Sequence, residues 1–330
     1  MSEDQHELIV SVSPHVRSDE SVQRIMWMVS LALMPAFAAS IYFFGIKALV
    51  VQLVTIAACV GFEAATQKMV GRPVSITDGS AFLTGLLLGF NLPANIPLYI
   101  PVAGAFVAVT ITKHLFGGLG YNIFNPALAG RAFVLISWPK AMTTWMEPVK
   151  SITSMDAVTT ATPLNIAKME GIGKLVEKFG GASSMYGDLF FGGVGGSLGE
   201  TSAVAILIGG AFLLVRGYIT WHIPVSFIAT VAAVAAVTGN DPAFHLLAGG
   251  LMLGAFFMAT DYVTGPSTRK AQIVFGIGCG LLTMLIRLKG GYPEGVMFAI
   301  LIMNCFAPLL DRGMRAKTFG AVEKKKEAAA

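Results

Sequence analysis

Between Asp156 and Leu164 the chain reads Asp-Ala-Val-Thr-Thr-Ala-Thr-Pro-Leu, which places one carboxylate (Asp156) and three hydroxyls (Thr159, Thr160, Thr162) within a few residues of one another. A threonine oxygen can be esterified to a phosphate without help from a thiol or an imidazole. In a long polar loop, this pattern reads as a covalent cofactor attachment site. The competing account is structural: Asp156, Thr159 and Thr160 form a turn and cap the helix suggested by Pro163-Leu164-Asn165-Ile166-Ala167. Short patterns recur by chance, so the rest of the chain has to weigh the two.

The 330 residues are 55% hydrophobic and 13% charged, and the mean hydropathy is +0.70. That is about half the charge density of an ordinary soluble domain, and the composition implies an integral membrane protein. A helix needs roughly 20 apolar residues to cross the hydrocarbon layer, or fewer where it is broken. Ten such runs are expected, at 25–46, 48–67, 80–92, 97–116, 123–138, 201–216, 218–238, 244–260, 270–287 and 294–310. Met1 to Glu20 is polar and acidic, so no cleaved signal peptide is expected there. Cys59, Cys279 and Cys305 fall inside apolar runs without CxxC or Cys/His spacing and read as small buried hydrophobes. The chain has no His-Glu-x-x-His, P-loop or Gly-x-Ser-x-Gly motif, which leaves hydrolase and nucleotide-driven pump chemistry without support. Glycines such as Gly276, Gly278 and Gly280 suit close helix packing better than dinucleotide binding.

Counting Lys and Arg outside the ten runs gives fourteen on the side of the N-terminus and eight on the other, five of the eight within the long loop, where charge matters least. Both termini are therefore expected to be cytoplasmic, in the inner membrane of a prokaryote, with the loop facing outward. The net charge of +4 and the Lys324-Lys325-Lys326 tail follow from this topology and call for no nucleic-acid partner. The expected organisation is a cytoplasmic segment 1–24, a five-helix repeat 25–138, the outward loop 139–200, a second five-helix repeat 201–310 and a basic cytoplasmic tail 311–330. The expected fold is thus all-α and membrane-embedded, with about ten transmembrane helices surrounded by lipid.

An internal repeat is expected because Phe116-Gly117-Gly118-Leu119-Gly120-Tyr121-Asn122-Ile123-Phe124-Asn125-Pro126-Ala127 precedes the last run of the first half, and Lys289-Gly290-Gly291-Tyr292-Pro293-Glu294-Gly295-Val296-Met297-Phe298 stands at the matching place in the second. With five spans each, the halves would be inverted. Inverted repeats place polar sites near the midplane, at helices interrupted by Gly and Pro. The short third run, ending in Asn91-Leu92-Pro93-Ala94-Asn95-Ile96-Pro97, is such a helix.

The loop pattern Asp-x-x-Ser/Thr-x-Ala-Thr resembles the flavinylation motif of the NqrB/RnfD family. Asn91-Leu92-Pro93, Lys113 through Ala127, and Met258-Ala259-Thr260-Asp261-Tyr262-Val263-Thr264-Gly265-Pro266 also look like sequences of that family. The similarity runs from roughly Ser13 to Arg315. The early first span is nearer to the RnfD type than to NqrB, and Thr160 departs from the more usual Gly or Ser. The resemblance implies FMN esterified to Thr162, with Asp156, Thr159, Thr160 and Ala161 as the motif read by a flavin transferase. Asp156 could anchor that enzyme or its metal-bound substrate, since hard cations prefer carboxylate oxygens. The resemblance also implies an electron-relay subunit of a complex that couples electron transfer between ferredoxin and NAD to Na+ or H+ translocation. Its partners would be RnfA, RnfB, RnfC, RnfE and RnfG, and a non-covalent riboflavin could sit between the spans. The alternatives are an NqrB-like subunit of a Na+-translocating quinone reductase, and a non-redox inverted-repeat transporter or channel.

Charges within spans are functional candidates. Lys113 and His114, before a Gly-rich turn, are expected either to contact a flavin or to anchor the interface. Arg131 lies one turn past Asn125-Pro126 and needs a partner, for which a flavin phosphate or an acidic side chain would serve. Asn125 is included with these as a cofactor contact. Glu63 reads as an interfacial carboxylate that snorkels, Asp261 as the cap of the turn that follows it, and His222 and His245 as a weak candidate pair for haem.

Overall fold

The computed structural model describes residues 20–148 and 159–314. Asp156 and the outermost parts of both terminal segments lie outside them. The described residues are mainly helical. Among them, three helical stretches, Val22–Met69, Arg269–Lys289 and Val296–Gly313, are long and apolar enough to cross a membrane, and four shorter ones are also apolar: Ser80–Phe90, Pro126–Ser137, Ala203–Val215 and His222–Val237.

Helices α1 (Val22–Ala32) and α2 (Met34–Met69) form the first of these stretches. As one rod its 48 residues would extend about 72 Å, more than twice a hydrocarbon layer of about 30 Å. Gly45 breaks it, with φ 67° and ψ −154°, backbone that only glycine adopts without strain. Trp27 Nε1 donates to the carbonyl of Thr77, beyond the end of α2. Phe43 lies against Gly192, so close that a Cβ there would sit 2.6 Å from its ring. The chain therefore runs out along residues 22–44 and returns along 46–69.

The remaining helices run between the same two ends. They are α3 (Ser80–Phe90), α4 (Tyr99–Phe106, continued by a π-helical stretch to His114), α5 (Pro126–Ser137) and the single turn α6 (Pro139–Met142). After the loop come α10 (Ala203–Val215), α11 (His222–Val237), α12 (Pro242–Leu247), α13 (Leu251–Leu253, extended to Met258), α14 (Arg269–Lys289) and α15 (Val296–Gly313). One end is gathered by Arg72 Nη1 donating to the Gly117 carbonyl, by the Tyr218 hydroxyl donating to Glu20, and by Asp311 accepting from Ser267. The other end carries Phe43, Gly192 and the contact of Leu164 with Gly249. Phe44, Phe90, Phe227 and Phe275 fill the interior. Leu53, Ile136, Val215, Leu285 and Leu309 are exposed on the helix exteriors, where a lipid-facing surface would put them.

Residues 139–200 are more than a loop. Strands β1 (Trp145–Met146) and β2 (Thr159–Thr160) pair antiparallel, Trp145 with Thr160 and Met146 with Thr159. Helices α7 (Pro163–Glu170), α8 (Ile172–Lys178) and α9 (Ala182–Phe191) follow. Leu164, Leu175, Met185 and Leu189 pack with Phe244 of α12 into a second small core. The Tyr186 hydroxyl also donates to Asp241 at the start of α12. The segment is therefore folded onto the helices, and the helix at Pro163 is the first of three.

Candidate functional site

Asn125 starts α5. Its Oδ1 accepts from the backbone N–H groups of Ala127 and Leu128 at 3.1 and 3.3 Å, and Pro126 needs no such partner. Its Nδ2 donates to the Met258 carbonyl, so this side chain is committed to joining α5 to α13. Somewhat more than a turn later α5 presents Arg131, which is 6% exposed. Arg131 Nη1 donates to Asn91 Oδ1 at 2.6 Å and to Glu200 Oε1 at 3.2 Å, and Nη2 donates to Glu294 Oε2 at 2.6 Å. Arg131 Nε has no partner among the described residues.

The two carboxylates come from Gly-rich connections, Glu200 before α10 and Glu294 before α15. They converge on Gly250, where a Cβ would lie 2.7 Å from Glu200 Oε1 and 2.8 Å from Glu294 Oε1 and would push the two acidic groups out of place. The Gly250 N–H donates to Glu294 Oε1 at 2.8 Å. Arg287 supports the assembly from α14, donating to the carbonyls of His245 (2.6 Å), Ala248 (3.1 Å) and Glu294 (3.3 Å). Arg131 is thus the guanidinium paired with both acidic side chains, while the donors of Arg287 are taken up by backbone carbonyls, so that both buried cations have partners.

Above this network lies a cavity of about 390 Å³, lined by Arg131, Glu200, Glu294, Trp145, Tyr292 and Thr162 among others. Its size and its apolar lining with a few polar groups suit a small organic molecule. Half-buried Thr162 is the N-cap of α7, its Oγ1 accepting from the Asn165 N–H at 3.2 Å. The capping role that the sequence left to Asp156, Thr159 and Thr160 therefore belongs to Thr162 itself. Lys168, on the same helix, ties α7 to the connection before α15 by donating to the carbonyls of Gly290 (2.5 Å) and Tyr292 (3.0 Å). Partial burial holds its ammonium below the usual lysine range. Thr159 and Thr160 are held in β2, and Ala161 is exposed at a shallow surface pocket beside Ile166 and Lys178.

Of the sequence candidates, Thr162 and Arg131 meet in this cavity, and Lys113 and Asn125 line a different one. Lys113, 2% exposed, donates to Glu63 Oε1 and Oε2 at 2.9 Å each and to Ser80 Oγ at 2.8 Å. His114 Nε2 lies 3.0 Å from Glu63 Oε2, and Gln67 Nε2 donates to Glu63 Oε1 at 2.9 Å. Glu63 is 1% exposed and does not snorkel, because the π-helical turn after α4 brings both Lys113 and His114 onto it. The adjoining cavity, about 80 Å³ and lined by Lys113, Asn125 and Asp261, is small for a flavin ring, so no residue is assigned to riboflavin.

Asp261 caps its own turn, accepting from the Val263 N–H at 3.3 Å and the Thr264 hydroxyl at 3.0 Å. His222 stacks on Trp221 at the start of α11, whereas His245 lies beyond the other end of that helix beside Phe244, so the two cannot share a haem iron. Cys59 and Cys279 are buried as expected, but Cys305 is exposed on α15. Sequence reading did not single out Glu200 and Glu294 as partners. The signal that could have found them was a buried arginine in α5 that required acids, and both acids sit in glycine-rich stretches flanking apolar runs.

Residues 9–320 match the sequence profile of the NQR2, RnfD, RnfE family. The chain belongs to that family. A relative from Clostridium ljungdahlii, named as the D subunit of a proton-translocating ferredoxin:NAD(+) oxidoreductase complex, is 53% identical over 94% of this chain and 96% of its own length. The D subunit of the Na(+)-translocating counterpart from Acetobacterium woodii is 47% identical over 98% of both chains. The D subunit of the ion-translocating oxidoreductase complex from Stutzerimonas stutzeri is 41% identical over 91% of this chain and 92% of its own. Within the family, then, the chain is similar to D subunits along almost its whole length, including the segment that carries Thr162, Glu200 and Glu294.

Proposed function

We propose that this chain is the flavin-bearing membrane subunit of an ion-translocating ferredoxin:NAD oxidoreductase complex, and that FMN is esterified to Thr162. The observation that carries the reading is that the motif threonine opens onto a cavity of about 390 Å³ with aromatic walls and an arginine Nε that has no partner among the described residues. The residues fit the group: Thr162 Oγ1 for the phosphoester, Trp145 and Tyr292 beside the ring, and Arg131 at the deep end. FMN supplies one- and two-electron redox chemistry at this site. The chain itself supplies attachment, orientation, exclusion of water by helices α7 to α9, and a charged floor. The relatives named as D subunits support the complex-level part of the proposal. The partners in this reading are RnfA, RnfB, RnfC, RnfE and RnfG-like subunits, together with a flavin transferase during maturation.

The same reading takes the chain as ten spans in two inverted halves, with both termini cytoplasmic and the Thr162 segment outside. It is supported by the alternation of the helices between two ends and by the matching positions of Lys113 and Arg287, each at a helix end before a Gly-Gly turn and each donating into a break in a neighbouring element. A cysteine placed at Ser183, exposed on α9, should react with an impermeant maleimide in intact cells. Labelling only after lysis would invert the orientation.

The relay role is tested in the assembled complex. Thr162→Ala is expected to assemble at near-normal levels and to keep the other flavins, while losing most ferredoxin-dependent NAD reduction and the ion gradient. Normal electron transfer with flavin absent from this chain would contradict it.

A further inference from the structure

Arginine carries five N–H donors in a rigid fork. Those on Nη1 and Nη2 of Arg131 are directed at Asn91, Glu200 and Glu294, yet Nε, in a side chain more than nine-tenths buried, faces no acceptor among the described residues. A buried donor without a partner costs on the order of 1–3 kcal/mol. Such a cost persists in folded proteins where a ligand later supplies the acceptor. Arg131 lines the same cavity as Thr162, Arg131 at its buried floor and Thr162 half-buried. FMN tethered by its phosphate at Thr162 would have its ring at the end of the ribityl chain away from the tether, and Arg131 is a cationic group of the same cavity available to it.

We infer that Arg131 sets the reduction potential of the flavin in this cavity, its guanidinium meeting the negative charge that reduction leaves on the ring, and that Glu294, whose Oε2 accepts from Arg131 Nη2 at 2.6 Å, moderates this effect by partly neutralising the guanidinium. The inference rests on the proposed attachment of FMN at Thr162. The charge balance is explicit: two electrons from the donor side of the complex and one proton from solvent convert the neutral ring to a monoanion, with the charge centred on N1 and the C2 carbonyl. A cation beside that locus favours the reduced form, and a carboxylate beside the cation opposes it. Arg131 acts as a tuning residue and makes or breaks no bond. Its two acids explain how a cation can be kept in a membrane interior without the full penalty of an unpaired charge.

The sign of the effect separates tuning from scaffolding. In purified complexes, the potential of the flavin on this chain is titrated spectroelectrochemically for wild type, Arg131→Gln, Arg131→Lys and Glu294→Gln, and in-gel fluorescence of the denatured chain confirms attachment in each. Arg131→Gln is expected to favour the oxidised flavin by tenfold or more, a fall of about 30 mV for a two-electron couple. Arg131→Lys, which keeps the charge, should retain most of the wild-type value. Glu294→Gln should move the potential the opposite way, upward. Should Arg131→Gln fail to assemble, Glu294→Gln decides alone, because it is nearly isosteric and predicts a rise that loosened packing does not. Unchanged potentials, or shifts of the same sign in Arg131→Gln and Glu294→Gln, would overturn the inference while leaving FMN on Thr162. Absence of fluorescence from the wild-type chain would instead overturn the attachment on which it rests.

Discussion

Two buried ionic networks stand in this protein, built from similar groups and doing different work. At the end that gathers Thr77, Arg72 and Gly117, Lys113 spends all three ammonium protons, two on Glu63 and one on Ser80, and the neighbouring cavity is about 80 Å³. At the end that gathers Phe43 and Gly192, Arg131 holds two acidic side chains and an amide, keeps its Nε without a partner among the described residues, and lines a cavity of about 390 Å³. The closed network locks α2, α3 and the π-helical turn together. The open one borders a cavity large enough for an organic molecule. Each network leaves one buried nitrogen without a hydrogen-bond partner among the described residues, His114 Nε2 in the first and Arg131 Nε in the second, so the difference teaches that a buried charge in a membrane helix has to be judged by the space it faces, since burial and pairing are common to both.

The largest effect should come from breaking the closed network. Lys113→Ala leaves Glu63 buried without its cation and is expected to destabilise the protein by about 3–5 kcal/mol. Thermal unfolding of the purified complex and the amount assembled in membranes both read this loss. Replacing both partners, Glu63→Leu with Lys113→Met, should recover most of it, because a well-packed apolar pair carries no desolvation cost. If the single variant were as stable as wild type, the lock would be refuted. The smallest structural effect is expected at the open site. Thr162→Ala removes only an N-cap from α7, worth about 1 kcal/mol, and thermal unfolding should scarcely change. A collapse as large as that of Lys113→Ala would erase the distinction between the two regions.

Most helices were legible in the sequence to within a few residues, although the run 244–260 is split into Pro242–Leu247 and a second helix from Leu251. Ala203–Val215 and Arg269–Lys289 fall almost where the apolar runs 201–216 and 270–287 end, because in a hydrocarbon solvent the run itself is what makes the helix. The segment 139–200 was less legible. Helices α8 and α9 are short and derive their stability from packing on α12 through Leu175, Met185 and Phe244, a tertiary effect with little local signal. The charged partners were the hardest to find. Glu63 and Lys113 are 50 residues apart, and Arg131 and Glu294 are 163 apart, so no window along the chain contains either pair. The capping reading of the motif named Asp156, Thr159 and Thr160, whereas the cap is Thr162, whose Oγ1, or the phosphate oxygens once it is esterified, can accept from the Asn165 N–H. Arg131 was flagged because an arginine in a span demands an acid, and the structure supplied two.

The most direct test of the central claim is mass spectrometry of the tryptic peptide that contains Thr162, from wild type and from Thr162→Ala. The account predicts that the wild-type peptide carries the added mass of FMN with the phosphate on Thr162, and that the variant peptide carries none. A flavin retained in the variant, or found on Thr159 or Thr160, would contradict it.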